Sequence, residues 1–301
     1  MIQYTATAAS EVVYELAEGP LWDPMRKRVL WVDIPAGQVC EGHLGDDGAR
    51  VVTTITHQFA NTVGAVATAE DGRLLVAGDN QLMVIDHDGV RYGPQVMPSA
   101  DANRFNDGKC DPAGNFVVGT LSLDGSDDHQ MLLHADGSRI RVIDDDLGLS
   151  NGLAWSVDGG TLYSVDTVRG NVWSRSYDAG TASWAGRQLL FRISEALPDG
   201  MCVDAEGNLW IALWGAGQVR RYSPKGEVLA VVDVAAPHTS SVCFVGDRLD
   251  SLLITTARAE LTPAQRQEYP LSGRLFTVAV DTCGAPAALW NGIFEYSMDG
   301  V

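Results

Sequence analysis

Short apolar runs recur along the chain in pairs, each pair split by a polar turn. The copies read G-P-L-W-D-P-M-R-K-R-V-L-W-V-D, A-V-A-T-A-E-D-G-R-L-L-V-A-G, G-K-C-D-P-A-G-N-F-V-V-G-T, G-L-A-W-S-V-D-G-G-T-L-Y-S-V-D, G-M-C-V-D-A-E-G-N-L-W-I-A-L and S-V-C-F-V-G-D-R-L-D-S-L-L-I-T-T. Runs of this length bounded by Asp and Gly are strands joined by hairpins, because Gly and Asp supply the backbone conformations that tight turns need. Aligned on the turn, the copies are anchored at Asp23, Ala69, Asp111, Ser156, Asp204 and Phe244, at intervals of 46, 42, 45, 48 and 40 residues. A multi-strand unit of that period is a propeller blade. Six copies over the chain predict an all-β, six-bladed β-propeller forming one domain over residues 1–301, without a linker. One helix is expected near residue 265, where Thr262 precedes Pro263 in T-P-A-Q-R-Q-E-Y.

The repeat also exposes a candidate site. Five residues before the anchors stand Glu18, Gly64, Asn106, Asn151, Asp199 and Thr239. These positions are equivalent, so all six are expected at the central channel that a propeller's inner strands line. Read singly, an Asn or Asp at a strand end is a turn-capping residue. As a set, Glu, Asn, Asn and Asp make an oxygen-rich ring on otherwise apolar strands. Carboxylates brought together repel unless a cation or a proton sits between them. An all-oxygen set suits one divalent metal, namely Ca, Mg, Mn or Fe(II), with Zn also possible.

Composition narrows the function classes. With 46% hydrophobic and 20% charged residues, the chain can build a core. A net charge of −18 argues against nucleic acid and against anionic membranes as partners. The N-terminus lacks a basic leader and a long apolar run, so neither signal peptide nor membrane span is expected, and a cytoplasmic location follows. Five cysteines without a C-x-x-C pair predict free thiols rather than a disulfide framework. The sequence holds no signal for an oligomeric state.

Four ordered motifs then carry a resemblance. They are E-G-P-L-W-D-P at Glu18, N-R-F-N-D-G-K-C-D-P-A-G-N at Asn103, L-S-N-G-L-A-W-S at Leu149 and P-D-G-M-C-V-D-A-E-G-N-L-W-I-A at Pro198. Together they resemble the SMP-30/gluconolactonase/regucalcin family over essentially the whole chain. The resemblance implies a six-bladed propeller, in agreement with the repeat count. It also implies that Glu18, Asn151 and Asp199 ligate the metal, that Asp199 is the general base, and that Arg104 and Asn106 contact substrate. A family acid that follows G-T-M and binds sugar hydroxyls corresponds to Asp124 in G-T-L-S-L-D-G; mammalian members carry the longer Glu there. The late segment T-T-A-R-A-E-L-T-P-A-Q-R-Q-E-Y-P-L-S-G-R-L-F looks like the last blade of bacterial sugar-acid lactonases in oxidative sugar catabolism.

The implied chemistry is metal-dependent opening of a sugar (aldono-) lactone. The metal would polarise the carbonyl, Asp199 would move the proton of water, and Arg104 would hydrogen-bond substrate oxygen. Alternation along a strand puts Arg104 on the same face as Asn106. Other roles remain open for two residues: Arg104 could pair with Asp107, and Asp124 could be a turn residue of D-G-S-D-D. Specificity is expected from loops around residues 120–130 and 57–64. Competing readings are a calcium-binding regulatory protein without turnover and a related propeller hydrolase of esters or organophosphates. Gly148–Gly152 matches G-x-S-x-G, with His238 downstream, but a hairpin rather than a helix follows, against a serine esterase. Trp210 and Trp214 read as blade packing, and Asp144–Asp146 as a solvated loop.

Overall fold

The computed structural model describes residues 1–97, 103–125 and 128–296. Six sheets stand in a ring, a six-bladed β-propeller, and consecutive strands within each blade pair antiparallel. The innermost strands are Ala17–Asp23, Val63–Thr68, Asn103–Cys110, Ser150–Trp155, Leu197–Val203 and Thr239–Val245, in the order of blades 1 to 6. Each begins a blade at one of the six sequence copies. Apolar side chains alternate between the two faces of the second strands, so neighbouring blades share cores. On Leu209–Trp214, Trp210 and Ala212 pack towards blade 6, while Leu209, Ile211 and Leu213 pack towards blade 4. Cys40, Cys110, Cys202 and Cys243 are buried free thiols, and Cys283 is an exposed one. Among the described residues the helix Pro263–Glu268 is the one α-helix, capped by Thr262 with Gln265 closing a capping box. No helix of the described residues is long and apolar enough to cross a membrane.

Three of the six anchors are buried carboxylates that staple their own blade. Asp23, Asp111 and Asp204 each accept a backbone N–H two residues on, from Met25, Ala113 and Glu206. Each also meets a base further along its blade: Arg28 Nε at 3.0 Å, His134 Nε2 at 2.9 Å and Arg221 Nε at 2.7 Å. The turn aspartate thus serves two strands at once, and its burial is compensated.

Two features lie beyond the repeat. The ring closes through the N-terminus: Ile2–Thr5 pairs parallel with Val228–Asp233 of blade 5, and Thr7–Ala8 pairs antiparallel with Phe276–Ala279 of blade 6. The run Asp144–Asp146 corrects the solvated-loop expectation. It belongs to the outer strand Ile140–Leu147 of blade 3, where Asp144 pairs with Arg175 and Arg187 from the blade 4 region. A charge run on an edge strand is solvated on one side only, and the arginines take the other.

The inner strands pack closely because glycine stands where they meet. A Cβ on Gly64 would lie 2.5 Å from Phe105 O, and one on Gly200 would lie 2.0 Å from Ser241 Oγ. Gly64→Ala should therefore push blade 3 outward at the axis and cost about 1–3 kcal/mol of stability. Chemical denaturation checks this; an unchanged midpoint would show that the strands have room to separate.

Candidate metal centre

Every inner strand carries a β-bulge at the predicted ring position. Pairing with the second strand slips between Glu18 and Leu21, Val63 and Ala65, Phe105 and Gly108, Asn151 and Leu153, Pro198 and Met201, and Thr239 and Ser241. A bulge breaks the ladder for one residue and re-aims its side chain. Here the same defect, repeated six times, turns polar side chains out of the blades. Gly19 adopts φ +53° inside the first bulge, which a side chain would strain. Gly152 lets blade 5 approach, since a Cβ there would lie 2.3 Å from Asp199 O.

Glu18, Asn106, Asn151 and Asp199 are all buried, at 5–6% exposure. Glu18 Oε2 accepts from Gly19 N at 2.8 Å, and Asn151 Oδ1 from Gly152 N at 3.1 Å. Each bulge amide thus orients the side chain that precedes it. Asp199 Oδ1 has no hydrogen-bond partner; among the described residues it is the one fully buried carboxylate oxygen left so. An orphaned buried carboxylate oxygen costs free energy unless something positive occupies the space before it.

The electrostatics agree. Burial pushes the Glu18 carboxyl up to about 8, and the nearby Asp107 charge adds to this. Asp199 is raised well above the usual carboxylate range by burial, then by Glu18 and Asp107. Burial raises Asp107 too. Arg104 is brought down to about 10 by burial, with Glu18 and Asp199 opposing that shift. The axis therefore gathers three carboxyls and one guanidinium out of water. Sites that hold acids of perturbed pKa against one another are candidates for function. Glu18, Asn151 and Asp199 offer a convergent, oxygen-only set with one oxygen unpartnered, and this donor set fits a divalent cation.

The substrate-side residues are placed as follows. Arg104 Nη1 donates to Asn106 Oδ1 at 2.8 Å and to Phe105 O at 2.8 Å, while Asn106 Nδ2 donates to Ser150 O at 2.9 Å. Arg104 and Asn106 are thus side by side, and Arg104 feels Glu18 and Asp199 rather than pairing with Asp107. Asp124 lies just past the strand Phe116–Ser122, whose Leu121 pairs with Arg104. It is exposed, and its Oδ1 meets Ser122 Oγ at 2.5 Å. The ring position Gly64 brings no side chain, and Thr239 brings a hydroxyl. Part of the 120–130 loop, residues 126 and 127, lies outside the described residues.

Other signals resolve simply. Ser150 opens the strand Ser150–Trp155 and is buried, with no helix after it. Trp210 is a core residue edge-on to Phe244, and its Nε1 donates to Asp204. Trp214 stacks on His238 at 4.2 Å between centroids and 12° between planes, at the strand end nearest Leu197. Sequence reasoning missed Asp107 as part of the site. It follows a ring residue, and simple alternation turns it away from the axis; only the bulge between Phe105 and Gly108 brings it back. The N-D-G spelling was the available signal. Lys109 was missed as well; its Nζ donates to Met201 O at 2.9 Å, and its charge eases Asp107.

Comparison with known proteins bears on this arrangement. The family profile described as SMP-30/gluconolactonase/LRE-like region matches residues 16–258. The chain belongs to this family. Regucalcin of Xenopus laevis is 30% identical over 277 residues, covering 88% of this chain and 91% of that one. A putative sugar lactone lactonase of Bacillus subtilis is 33% identical, covering 89% and 92%. Among solved structures, a calcium-binding protein, regucalcin, from Agrobacterium tumefaciens superposes with a TM-score of 0.88 at 26% identity, over 96% of this chain and 99% of that one. The matched span of the family profile contains Glu18, Arg104, Asn106, Asn151 and Asp199.

The raised carboxyl of Glu18 fixes a sign. Below its ordinary value of 4.5 the group is protonated in both folded and unfolded chains. Between 4.5 and about 8 the unfolded chain releases the proton while the folded, metal-free chain keeps it, so stability falls as pH rises through that window. A cation held there would replace the proton, so its stabilising effect would grow with pH. Thermal melts in EDTA and in calcium at pH 5.5 and 8.5 should show the larger metal-induced rise at the higher pH. Glu18→Gln should raise the metal-free midpoint at pH 8.5 and lose most of the calcium response. Equal responses at both pH values would contradict the assignment.

Proposed function

We propose that this family member hydrolyses a sugar (aldono-) lactone to the open-chain acid with the help of one divalent metal ion. The observation that carries the reading is the unpartnered, buried Asp199 Oδ1 beside Glu18 and Asn151, with Arg104 and Asn106 joined at the same axis. Glu18, Asn151 and Asp199 would hold the metal. A divalent cation bound there supplies an electrophile for the lactone carbonyl and draws the surrounding carboxyls towards their ionised forms.

The remaining work belongs to side chains. A lactone is a cyclic ester, so hydrolysis forms a bond from water oxygen to the carbonyl carbon and breaks the bond to the ring oxygen. Asp199 takes the proton that water loses and returns it to the departing ring oxygen, which becomes a hydroxyl. Burial raises the Asp199 pKa, which makes its carboxylate a stronger base than an exposed one. Arg104 stays charged near neutral pH even after its downward shift, and donates to the oxygen on which negative charge grows. Its bond to Asn106 holds the guanidinium in place beforehand. Asn106 and Asp124 meet sugar hydroxyls, Asp124 from the exposed loop above. No covalent nucleophile is required, and the buried thiols take no part.

A second reading has its own support. The Agrobacterium relative is described as a calcium-binding protein, and Glu18, Asn151 and Asp199 suffice for binding without turnover. Acid release from a panel of pentono-, hexono- and deoxysugar lactones separates the two, using EDTA-stripped protein with Ca, Mn, Mg, Zn or Fe(II) restored. The metal-dependent rate should fall by about 100-fold or more in Asp199→Asn. In Arg104→Lys, kcat/KM should fall by about 10-fold or more, because an ammonium does not reproduce the guanidinium fork. Release no faster than metal-free blanks, from folded protein that still binds metal, would favour the calcium-binding reading.

A further inference from the structure

A second pattern repeats just outside the ring, at the site-facing ends of the second strands. Asp33 ends the strand Arg28–Asp33 of blade 1 and is buried. Its Oδ2 accepts from Glu15 N at 3.0 Å and its Oδ1 from Leu16 N at 3.1 Å. Asp166 ends the strand Thr161–Asp166 of blade 4, with 0% exposure. It accepts from Gly148 N at 3.2 Å and from Leu149 N at 3.3 Å. The next residue repeats as well: Ile34 N donates to Leu16 O, and Thr167 N donates to Leu149 O, both at 3.1 Å. Leu16 and Leu149 stand two residues before Glu18 and Asn151. Arg169 Nη1, 2.6 Å from Asp166 Oδ2, balances the buried charge.

Thr167 makes one contact that Ile34 cannot. Its Oγ1 donates to Pro198 O at 2.8 Å across the boundary between blades 4 and 5. Pro198 immediately precedes Asp199. The three backbone segments that present Glu18, Asn151 and Asp199 are therefore all gripped from the same face by Asp33 or by Asp166–Thr167.

The other blades serve as an internal comparison. Asp33 and Asp166 pair with Ala17 and Ser150, the residues just before the ring positions. The corresponding partners of Val63, Phe105 and Pro198 are Gly78, Thr120 and Leu213. None of these carries a carboxylate. Blade 2 does have Asp79 one residue later, but among the described residues that side chain accepts from the Asn61 and Thr62 side chains, at 3.2 and 3.5 Å, and not from backbone amides. Its ring position is Gly64, which offers no ligand. The clamp occurs where candidate ligands occur, and blade 5, which has Leu213 instead, is held from blade 4.

We propose that Asp33 and the Asp166–Thr167 pair are positioning residues, which preset the backbone behind the three metal-ligand candidates. This inference rests on the metal reading of the axial site. The physical reason is that a carboxylate can accept two N–H groups and donates nothing, so it locks two consecutive amides at once. Asparagine has the same shape but turns a donor towards one of those amides, and must lose a bond. A ligand whose backbone is already fixed is ordered before the cation arrives, and supports of this kind are worth about 10–100-fold in metal affinity.

Calorimetric titration with calcium and manganese tests the proposal on the full chain, in wild type, Asp166→Asn, Thr167→Val, Thr167→Ser and Asp79→Asn. Backbone amide exchange is followed in the same proteins. Asp166→Asn and Thr167→Val should bind about 10–100-fold more weakly, Thr167→Ser should stay close to wild type, and Asp79→Asn should be unchanged. Exchange should quicken at Gly148 and Leu149 in Asp166→Asn, and around Asp199 in Thr167→Val. Affinities in Asp166→Asn and Thr167→Val equal to that of Asp79→Asn would overturn the proposal. Wild type that binds neither ion would overturn the metal reading instead, and exchange would then decide the clamp: unchanged rates at Gly148 and Leu149 refute it.

Discussion

Acidic side chains are buried against one another at the axis, and the rest of the molecule is arranged around that cost. Glu18, Asp107 and Asp199 repel, and burial removes the water that would screen them. A flexible scaffold would relieve the repulsion by moving apart. This one cannot, because glycines at 64, 152 and 200 let neighbouring backbones close to contact distance around the axis. The tension is met chemically instead, by a proton that Glu18 keeps up to about pH 8.

The device that makes the arrangement possible is a defect. A regular strand would send alternate side chains into the cores between blades, which are apolar. The bulge at each ring position interrupts that alternation locally and, in every blade but the second, turns a polar group inward, while the rest of the strand continues to pack. The bulge amides of Gly19 and Gly152 then hold the redirected oxygens. Propeller stability and axial chemistry are in this way assigned to different residues of the same strands, so the polar ring can vary without repacking the blades.

Much of this was legible in the chain. The period near 45 residues, the six ring positions and the capped helix at Thr262 follow from apolar alternation and turn chemistry, both of which are local. The bulges were visible only as glycines after Glu18, Asn151 and Asp199, a signal whose meaning depends on a neighbouring strand. Asp107 was hidden for the same reason: alternation assigns it to the wrong face. Strand pairing between residues 2–8 and residues 228–279 has no local signature at all, because short strands announce no partner. The run Asp144–Asp146 misled because its arginine partners, Arg175 and Arg187, lie some 30 to 40 residues away in sequence. Contacts made between blades are the part that reading along the chain does not reach.

The pairing of the N-terminal strands also orders events in time. Residues 2–8 leave the ribosome well before their partners in blades 5 and 6, which are made more than 200 residues later. Through most of synthesis these two strands have no sheet to join. Glu18 sits on the first blade and Asp199 on the fifth, 181 residues later in the sequence. Contacts of such long sequence separation form late. Glu18 and Asp199 accordingly meet at the axis only once widely separated parts of the chain have come together.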